Sequence, residues 1–199
     1  MKIIGLCGGS GSGKGAVCAV FNTLGVPSVD ADSVYHNITS HTGPCLDEIA
    51  LEFGAECVKQ GALDRAYLRN IVFTPPEVEK KTARLNSITH KYVIARTLEI
   101  LKGYRDEGRK YAIIDAPLLF ESGINSLCDY TVAVVADMEL RIERIMRRDG
   151  IDRVLAERRI AAQKSDSELI LLSDFVIENN GDMSELAFRV KEIFEKINV

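Results

Sequence analysis

A glycine-rich loop between an apolar segment and an amphipathic segment is the feature that most constrains the fold of this chain. The loop has the sequence GGSGSGK from Gly8 to Lys14, which matches the pattern GxxxxGK. Lys2–Cys7 is typical of a buried strand, and apolar residues from Lys14 to about Leu24 have helical spacing. Glycines let backbone N–H groups converge on phosphate oxygens at a helix N-terminus. The strand–loop–helix context therefore predicts a phosphate-binding site, against the alternative of a glycine-rich turn with a surface lysine.

One position after the loop departs from the usual pattern. The residue after the lysine is normally Ser or Thr, whose hydroxyl binds Mg²⁺, whereas this chain has Gly15 followed by Ala16. Neither side chain can ligate a metal, so we expect the loop to bind ATP phosphates while Mg²⁺ finds other ligands. The predicted nucleotide-binding residues of this segment are Gly9, Ser10, Gly11, Ser12, Gly13, Lys14, Gly15 and Ala16.

Short apolar runs alternate with helical segments along the rest of the chain. The further predicted strands are Val26–Val29, Tyr111–Asp115, Tyr130–Val135 and Phe175–Ile177. Residues 139–172 have helical spacing with many charges, and a last helix from 184 to 197 has Ser184 as its expected N-cap. This alternation predicts an α/β fold, in which helices cover both faces of a parallel sheet.

The predicted organisation is a single domain with two additions. Residues 1–34, 109–140 and 174–199 form the expected nucleotide-binding core. Residues 35–108 are mostly helical and too long for a simple crossover, so they predict an inserted helical subdomain. Residues 141–173 are expected to form an arginine-rich helical lid.

Composition limits the partners and the compartment. Apolar residues make up 46% of the 199 residues and the net charge is −4, which suits a globular chain and gives no reason to expect nucleic acid, a membrane surface or a protein partner. No apolar run approaches the roughly 18 residues of a membrane span. The five cysteines include no CxxC pair, so we expect no disulfide framework and a reducing cytoplasm.

Three aspartates follow predicted strands, at the edge where open parallel sheets bind ligands. Asp32 can accept a proton from a substrate hydroxyl, and both Asp30 and Asp32 can hold Mg²⁺ through water. The alternative for Asp32 is that it only caps the next helix. Asp115 has the place and type of a second metal-binding carboxylate, with a structural role as its alternative.

Seven arginines lie between residues 141 and 159. Arg141, Arg144 and Arg148 share one helical face, which is either solvated and salt-bridged or able to neutralise a transferring phosphoryl group from a mobile lid. Glu121 follows the apolar loop after the third long strand, where it can pair with a basic group.

Several motifs in order along the chain resemble the dephospho-CoA kinase family. The resemblance covers almost the whole chain. Beyond the phosphate loop, the similar motifs are Asp30-Ala31-Asp32, Leu63-Asp64-Arg65, the run from Leu85 to His90, Pro117-Leu118-Leu119-Phe120-Glu121, Arg148-Asp149, the run from Arg159 to Gln163, Asp174 to Ile177, and Asn179-Asn180-Gly181. Lys91 stands where the family usually has proline, which affects only the local geometry of the acceptor pocket.

The resemblance implies an ATP-dependent kinase that phosphorylates the 3′-hydroxyl of dephospho-CoA, the last step of coenzyme A biosynthesis. It implies catalytic roles for Lys14, Asp32, Arg148 and Arg159. The residues implied to bind the acceptor are Asp32, His36, Arg65, His90, Leu118 and Glu121, while Asn179 and Gly181 are implied to lie on the adenine side. From their position after the strands, Asp115 and Asp32 are the residues expected to hold Mg²⁺ through water. His36 has a simple exposed position as its alternative.

Other functions remain open at this point. Another small-molecule or nucleoside monophosphate kinase has the same phosphate loop. A GTPase is disfavoured because its guanine-reading N/TKxD motif is absent; the similar Gln163-Lys164-Ser165-Asp166 falls in a segment expected to be helical. A catalytically weak nucleotide-binding regulator is motivated by Gly15, and Lys14, Asp32 and the lid arginines argue against it.

Overall fold

The structure is a computed structural model that describes residues 1–198. Its strands are β1 (Lys2–Cys7), β2 (Ser28–Asp30), β3 (Val58–Lys59), β4 (Ala62–Leu63), β5 (Tyr111–Asp115), β6 (Tyr130–Val135) and β7 (Phe175–Glu178). Its helices are α1 (Lys14–Thr23), α2 (Ala31–Ile38), α3 (Pro44–Phe53), α4 (Arg65–Phe73), α5 (Val78–Asp106), α6 (Met138–Asp149), α7 (Arg153–Ala161), α8 (Asp166–Leu172) and α9 (Met183–Ile197). The chain divides into two compact units, Asp30–Gly103 and the remainder, which are described separately.

The larger unit is built on a sheet with the strand order β2-β5-β1-β6-β7. β1 pairs in parallel with β5 and β6, and β6 pairs in parallel with β7. In this register Leu6 lies opposite Asp115 and Cys7 lies opposite Ala133. The carboxyl ends of the central strands therefore meet at one edge, and the predicted parallel α/β sheet is confirmed.

Burial on both faces explains why the central strands are continuously apolar rather than alternating. One cluster joins these strands to α1 and α9, and its fully buried members include Ile4, Leu6, Phe21, Ile113, Val132 and Val190. Burying each Leu, Ile or Phe side chain of this kind contributes roughly 1.5–3 kcal/mol. This packing gives the sheet edge a rigid base.

The charged segment predicted as one helical stretch from 139 to 172 is three helices. α6 ends at Gly150, whose φ of 65° is the left-handed conformation that glycine adopts easily at a helix end. Asp152 caps α7 by accepting from the Leu155 N–H, and Ser165 caps α8. A small core holds α6 and α7 together through Ile142, Ile145, Ala156 and Ile160.

The smaller unit is mostly helical and has its own core, formed by Cys45, Ile49, Cys57, Leu68, Val72 and Ile88. The sequence predicted no strand here, yet β3 and β4 form an antiparallel hairpin. Its turn is Gln60-Gly61, with φ of 52° and 78°. Two successive positive φ values are typical of a tight two-residue hairpin turn, so Gly61 is a turn residue of the hairpin.

Two helix starts and one strand differ from the sequence predictions. Asp30 caps α2 by accepting from the Asp32 N–H, at 3.0 Å, so the cap is not Asp32. Asp182 caps α9 by accepting from two backbone N–H groups, so the cap is not Ser184. β2 begins two residues later and ends one residue later than its predicted bounds. Short polar side chains near each boundary compete for the cap, and sequence alone does not select between them.

The five cysteines form no disulfide within residues 1–198. Cys7, Cys18, Cys45 and Cys57 are buried, and Cys128 is partly buried. Every helix in the described part is too short or too polar to cross a bilayer.

Candidate active site

The phosphate loop joins the end of β1 to the start of α1 at the carboxyl edge of the sheet. Gly11 and Gly13 have φ of 78° and 90°, which other residues rarely adopt. A Cβ at Gly13 would also collide with the side-chain amide of Asn179. The first N–H groups of α1 have no partner within the helix and carry its positive dipole end. The loop therefore presents the donors that a phosphate requires.

Backbone carbonyls of the loop accept hydrogen bonds from side chains for which the sequence predicted other roles. Arg144 donates to Gly11 O at 3.3 Å and to Asn179 O at 3.0 Å. The buried Asn179 amide donates to Ser12 O at 2.8 Å. The predicted nucleotide-side residue Asn179 is thus buried beside the loop, and its amide group supports the loop backbone. Gly181 is exposed two residues further along.

Ser10 of the loop is held on both sides of its backbone. Its N–H donates to Gln163 Oε1 at 2.8 Å, and its carbonyl accepts from Arg141 Nε at 2.9 Å. Arg141 also forms an ion pair with Asp166, with 2.7 Å between Nη1 and Oδ1. The sequence predicted that the face of α6 with Arg141 and Arg144 is either solvated or part of a mobile lid. Both predictions are wrong for these two residues, because they donate to the loop backbone.

The GTPase-like run that starts at Gln163 was expected to be helical. In the structure, Gln163 to Ser165 form the turn between α7 and α8. This turn follows no strand, and the side chain of Gln163 contacts the loop backbone. The run therefore does not have the context of a guanine-reading motif.

Lys14 forms an ion pair with Asp115, the residue that ends β5. The two side chains are only 15% and 12% exposed. The parallel pairing of β1 and β5 brings them together, because Asp115 lies opposite Leu6 near the start of the loop. The structure thus places the predicted lysine and the predicted carboxylate at one site, beside the start of the phosphate loop.

Gly15 lies exposed in the first turn of α1, followed by the partly buried Ala16. A Cβ added to Gly15 would meet no heavy atom within 4 Å. The backbone there is ordinary helix, so the position could hold a serine without strain. Steric crowding therefore does not explain why position 15 lacks a hydroxyl.

The two arginines predicted to act from the lid both pair with Asp149. Arg148 donates to it at 2.8 and 2.9 Å, and Arg159 forms a second ion pair with it. The hydrogen bonds from Arg148, with the charges of both guanidinium groups, lower the pKa of Asp149 to about 2. Because both arginines are largely exposed, a phosphate could replace this carboxylate as their partner.

In the smaller unit, Asp32 lies exposed in the first turn of α2, after the cap residue Asp30. An open cavity of about 490 Å³ is lined by Asp32, Ser33, His36, Asn37, Ser40 and His41. Because Asp30 forms the cap, the carboxylate of Asp32 is not required for capping. His36 is exposed and lines the same cavity, so its predicted exposed position is confirmed, and its contact with the acceptor stays a prediction.

Arg65 and His90 lie elsewhere in the smaller unit. Arg65 donates to Thr39 Oγ1 at 3.1 Å and lies over the ring of Tyr35. Burial lowers the pKa of His90, which is partly buried on α5. α5 continues through Lys91, whose ammonium pairs with Glu48 at 2.5 Å. The residue in place of the family's proline thus extends a helix and adds a surface ion pair.

The segment after β5 holds the last two predicted residues. Leu118 is exposed while Leu119 is fully buried, so the apolar run anchors the segment by alternate side chains. Glu121 is exposed. Within residues 1–198 Glu121 forms no ion pair, so its expected pairing with a basic group is wrong for the chain alone.

A parallel sheet with a phosphate loop between β1 and α1, and a carboxylate ending the adjacent strand, defines a P-loop nucleotide-binding protein. The sequence matches the family described as "CoaE: Dephospho-CoA kinase" over residues 2–185. The chain belongs to the dephospho-CoA kinase family.

Individual relatives agree with this assignment. A dephospho-CoA kinase of Fusobacterium nucleatum is 40% identical over 99% of both chains, and one of Corynebacterium glutamicum is 36% identical over 99% of this chain and 98% of its own. The solved dephospho-CoA kinase from Campylobacter jejuni has a TM-score of 0.71 at 26% identity, covering 99% of this chain and 98% of its own. Shikimate kinase from Bacteroides thetaiotaomicron shares the fold, with a TM-score of 0.59 at 14% identity, covering 100% of this chain and 99% of its own.

Proposed function

We propose that this kinase transfers the γ-phosphoryl group of ATP to the 3′-hydroxyl of the ribose in dephospho-CoA, giving CoA and ADP. A bond forms between the ribose oxygen and the γ-phosphorus while the bond to the β-phosphate oxygen breaks. The observation that carries the proposal is the phosphate loop with its Lys14–Asp115 pair, in a chain of this family. Its reduced thiols suit a cytoplasmic enzyme.

Binding of ATP is assigned to the loop from Gly9 to Ala16. Backbone N–H groups hold the phosphates, and Lys14 neutralises charge on the β- and γ-phosphates. Arg148 and Arg159 exchange Asp149 for the transferring phosphoryl group, which places charge where it develops and excludes water. Asn179 and Gly181 are the residues proposed to lie on the adenine side.

The residues present fit a Mg²⁺ ion carried by the nucleotide. Asp115 supplies a carboxylate beside Lys14, and one or two carboxylates with phosphate oxygens and water are common ligands of Mg²⁺. Asp115 and Asp32 are the proposed ligands through water, since Gly15 offers no hydroxyl. When bound, the ion neutralises charge on the β- and γ-phosphate oxygens.

The acceptor is assigned to the insertion, residues 35–108, together with Asp32. Asp32 takes the proton of the 3′-hydroxyl as the new bond forms. The other residues proposed to contact the acceptor are His36, Arg65, His90, Leu118 and Glu121.

Coupled release of ADP tests the proposal. The chain is assayed with ATP and Mg²⁺ against dephospho-CoA, AMP, shikimate and no acceptor. We expect turnover with dephospho-CoA alone, and a product whose phosphate is on the 3′-oxygen. Turnover with AMP or shikimate would assign a different acceptor, and binding of ATP without any turnover would indicate a regulator.

A further inference from the structure

We propose that Arg141, Arg144, Gln163 and Asn179 are positioning residues that hold the phosphate loop in its binding conformation before the nucleotide arrives. These four side chains are called the loop clamp. The clamp residues lie on α6, in the turn between α7 and α8, and after β7. The proposal rests on the proposed function only in taking ATP as the ligand of the loop.

The clamp engages three successive carbonyls of the loop. Ser10 O accepts from Arg141, Gly11 O accepts from Arg144, and Ser12 O accepts from Asn179. A carbonyl oxygen turned towards a phosphate would repel it, whereas N–H groups attract it. Holding the carbonyls on the far side leaves the opposite side of the loop to N–H donors. Preorganisation of this kind lowers the ordering cost of binding.

Gln163 completes the attachment at Ser10, because its Oε1 accepts the Ser10 N–H at 2.8 Å. Both backbone polar groups of Ser10 thus have side-chain partners more than 130 positions away in sequence. A Cβ at Gly9 would collide with Arg141 Nη2, the end of a flexible side chain, and would lie 3.5 Å from Gln163 Oε1. A side chain at this position would therefore require Arg141 to shift, so the loop and the clamp are in close contact here.

Burial of Arg141 argues for a role beyond stability. The residue is 3% exposed, and its Nη2 has no hydrogen-bond partner in the described part of the chain. A buried ion pair such as that with Asp166 is often no more stabilising than apolar side chains of similar volume. A guanidinium in this position is therefore best explained by the directional donor that it provides to the loop.

The test compares Gln163→Met, which removes the acceptor oxygen at similar length, with Gln163→Glu, which keeps it. Amide hydrogen exchange of residues 9–13 is measured without nucleotide, together with the urea midpoint. We expect Gln163→Met to exchange about tenfold faster at the Ser10 amide with an unchanged midpoint, because one hydrogen bond is lost locally. Gln163→Glu should exchange like the natural chain.

Nucleotide affinity is the second readout, measured by calorimetry with ATP. We expect Gln163→Met and Arg141→Met to weaken ATP binding by about tenfold or more, with a KM for dephospho-CoA within about twofold of the natural value. Arg147→Met is the matched control for Arg141→Met, because Arg147 is exposed on the same helix and forms no ion pair in residues 1–198. It should match the natural chain in all measurements.

Unchanged exchange and unchanged ATP affinity in Gln163→Met would overturn the proposal. A second outcome would also overturn it. If a stabilising co-solvent restored both the ATP affinity and the urea midpoint of the clamp variants to the natural values, the clamp would act only through global folding. If the natural chain binds ATP and the clamp variants respond as expected, but dephospho-CoA is not phosphorylated, the proposed function fails while the clamp stands.

Discussion

Replacement of Lys14 is expected to weaken the folded state as well as catalysis, because Lys14 pairs with Asp115 at the sheet edge. Removing one partner of a fully buried pair destabilises by roughly 3–5 kcal/mol, while exposed pairs contribute about 1 kcal/mol or less. With side-chain exposures of 15% and 12%, the pair is largely but not fully buried. Allowing for the water that remains, we expect Lys14→Met to lower the free energy of unfolding by about 2 kcal/mol.

A double-mutant cycle isolates the interaction between the two side chains. Lys14→Met, Asp115→Asn and the double variant are unfolded in urea and followed by far-ultraviolet circular dichroism, because the chain has no tryptophan. Because Lys14 and Asp115 form an ion pair, the cycle should give a coupling energy between them of about 1 kcal/mol or more. The slope of unfolding against urea should stay constant, since the exposed surface does not change.

A coupling energy below about 0.3 kcal/mol would refute this reasoning, since that is within the error of independent sites. Measuring kcat/KM for the same three variants separates the effect on catalysis from the effect on folding. Lys14→Met should lose about 10²-fold in kcat/KM even where urea titration shows it fully folded, because a charge-assisted contact to the transferring phosphate is missing.

Three further variants test the other roles. Asp32→Asn should retain ATP affinity in calorimetry and lose about 10²-fold in turnover, because the proton acceptor is removed while the Asp30 cap remains. Gly15→Ser should lower the free Mg²⁺ concentration at half-maximal rate by about tenfold, because a hydroxyl fits there without contact. Burial lowers the pKa of His90, so the free energy of unfolding should fall as the pH drops below about 6.5. His90→Asn should reduce that fall in urea titrations.

Each of these three has a contrary outcome. Retained turnover in Asp32→Asn would remove its carboxylate from catalysis, and loss of the fold would assign it a structural role. Superimposable Mg²⁺ curves for the natural chain and Gly15→Ser would mean that another residue already supplies the oxygen. An unchanged pH dependence in His90→Asn would show that protonation of His90 is not coupled to folding.

The parts of the molecule that sequence predicted well depend on local signals. The strand before the loop, the loop itself and the helix after it follow from adjacent apolar and glycine residues. Asp115 was placed at the sheet edge because an apolar run ends there, and its pairing with Lys14 follows from the parallel register of β1 and β5. Such features need only short stretches of chain.

The contacts of Arg141 and Gln163 could not be predicted in the same way. Helical spacing indicated that Arg141 and Arg144 share a face, but not whether that face meets solvent or another part of the chain. The partners lie 131 and 133 positions away, and only the packing of α6 brings them together. For Gln163, the only sequence signal is its place in the family-like run from Arg159 to Gln163.

Because the thiols are buried, the rate at which they are alkylated reports how fast each unit opens. Burial raises the pKa of Cys45 to about 11 and that of Cys128 to about 12, and a thiolate is the form that alkylating reagents attack. A pKa of about 12 in place of 9 lowers the thiolate fraction of Cys128 at neutral pH by about a thousandfold. Labelling at Cys45 and Cys57 therefore times the exposure of the insertion, while Cys128 times that of the sheet, and no probe has to be introduced.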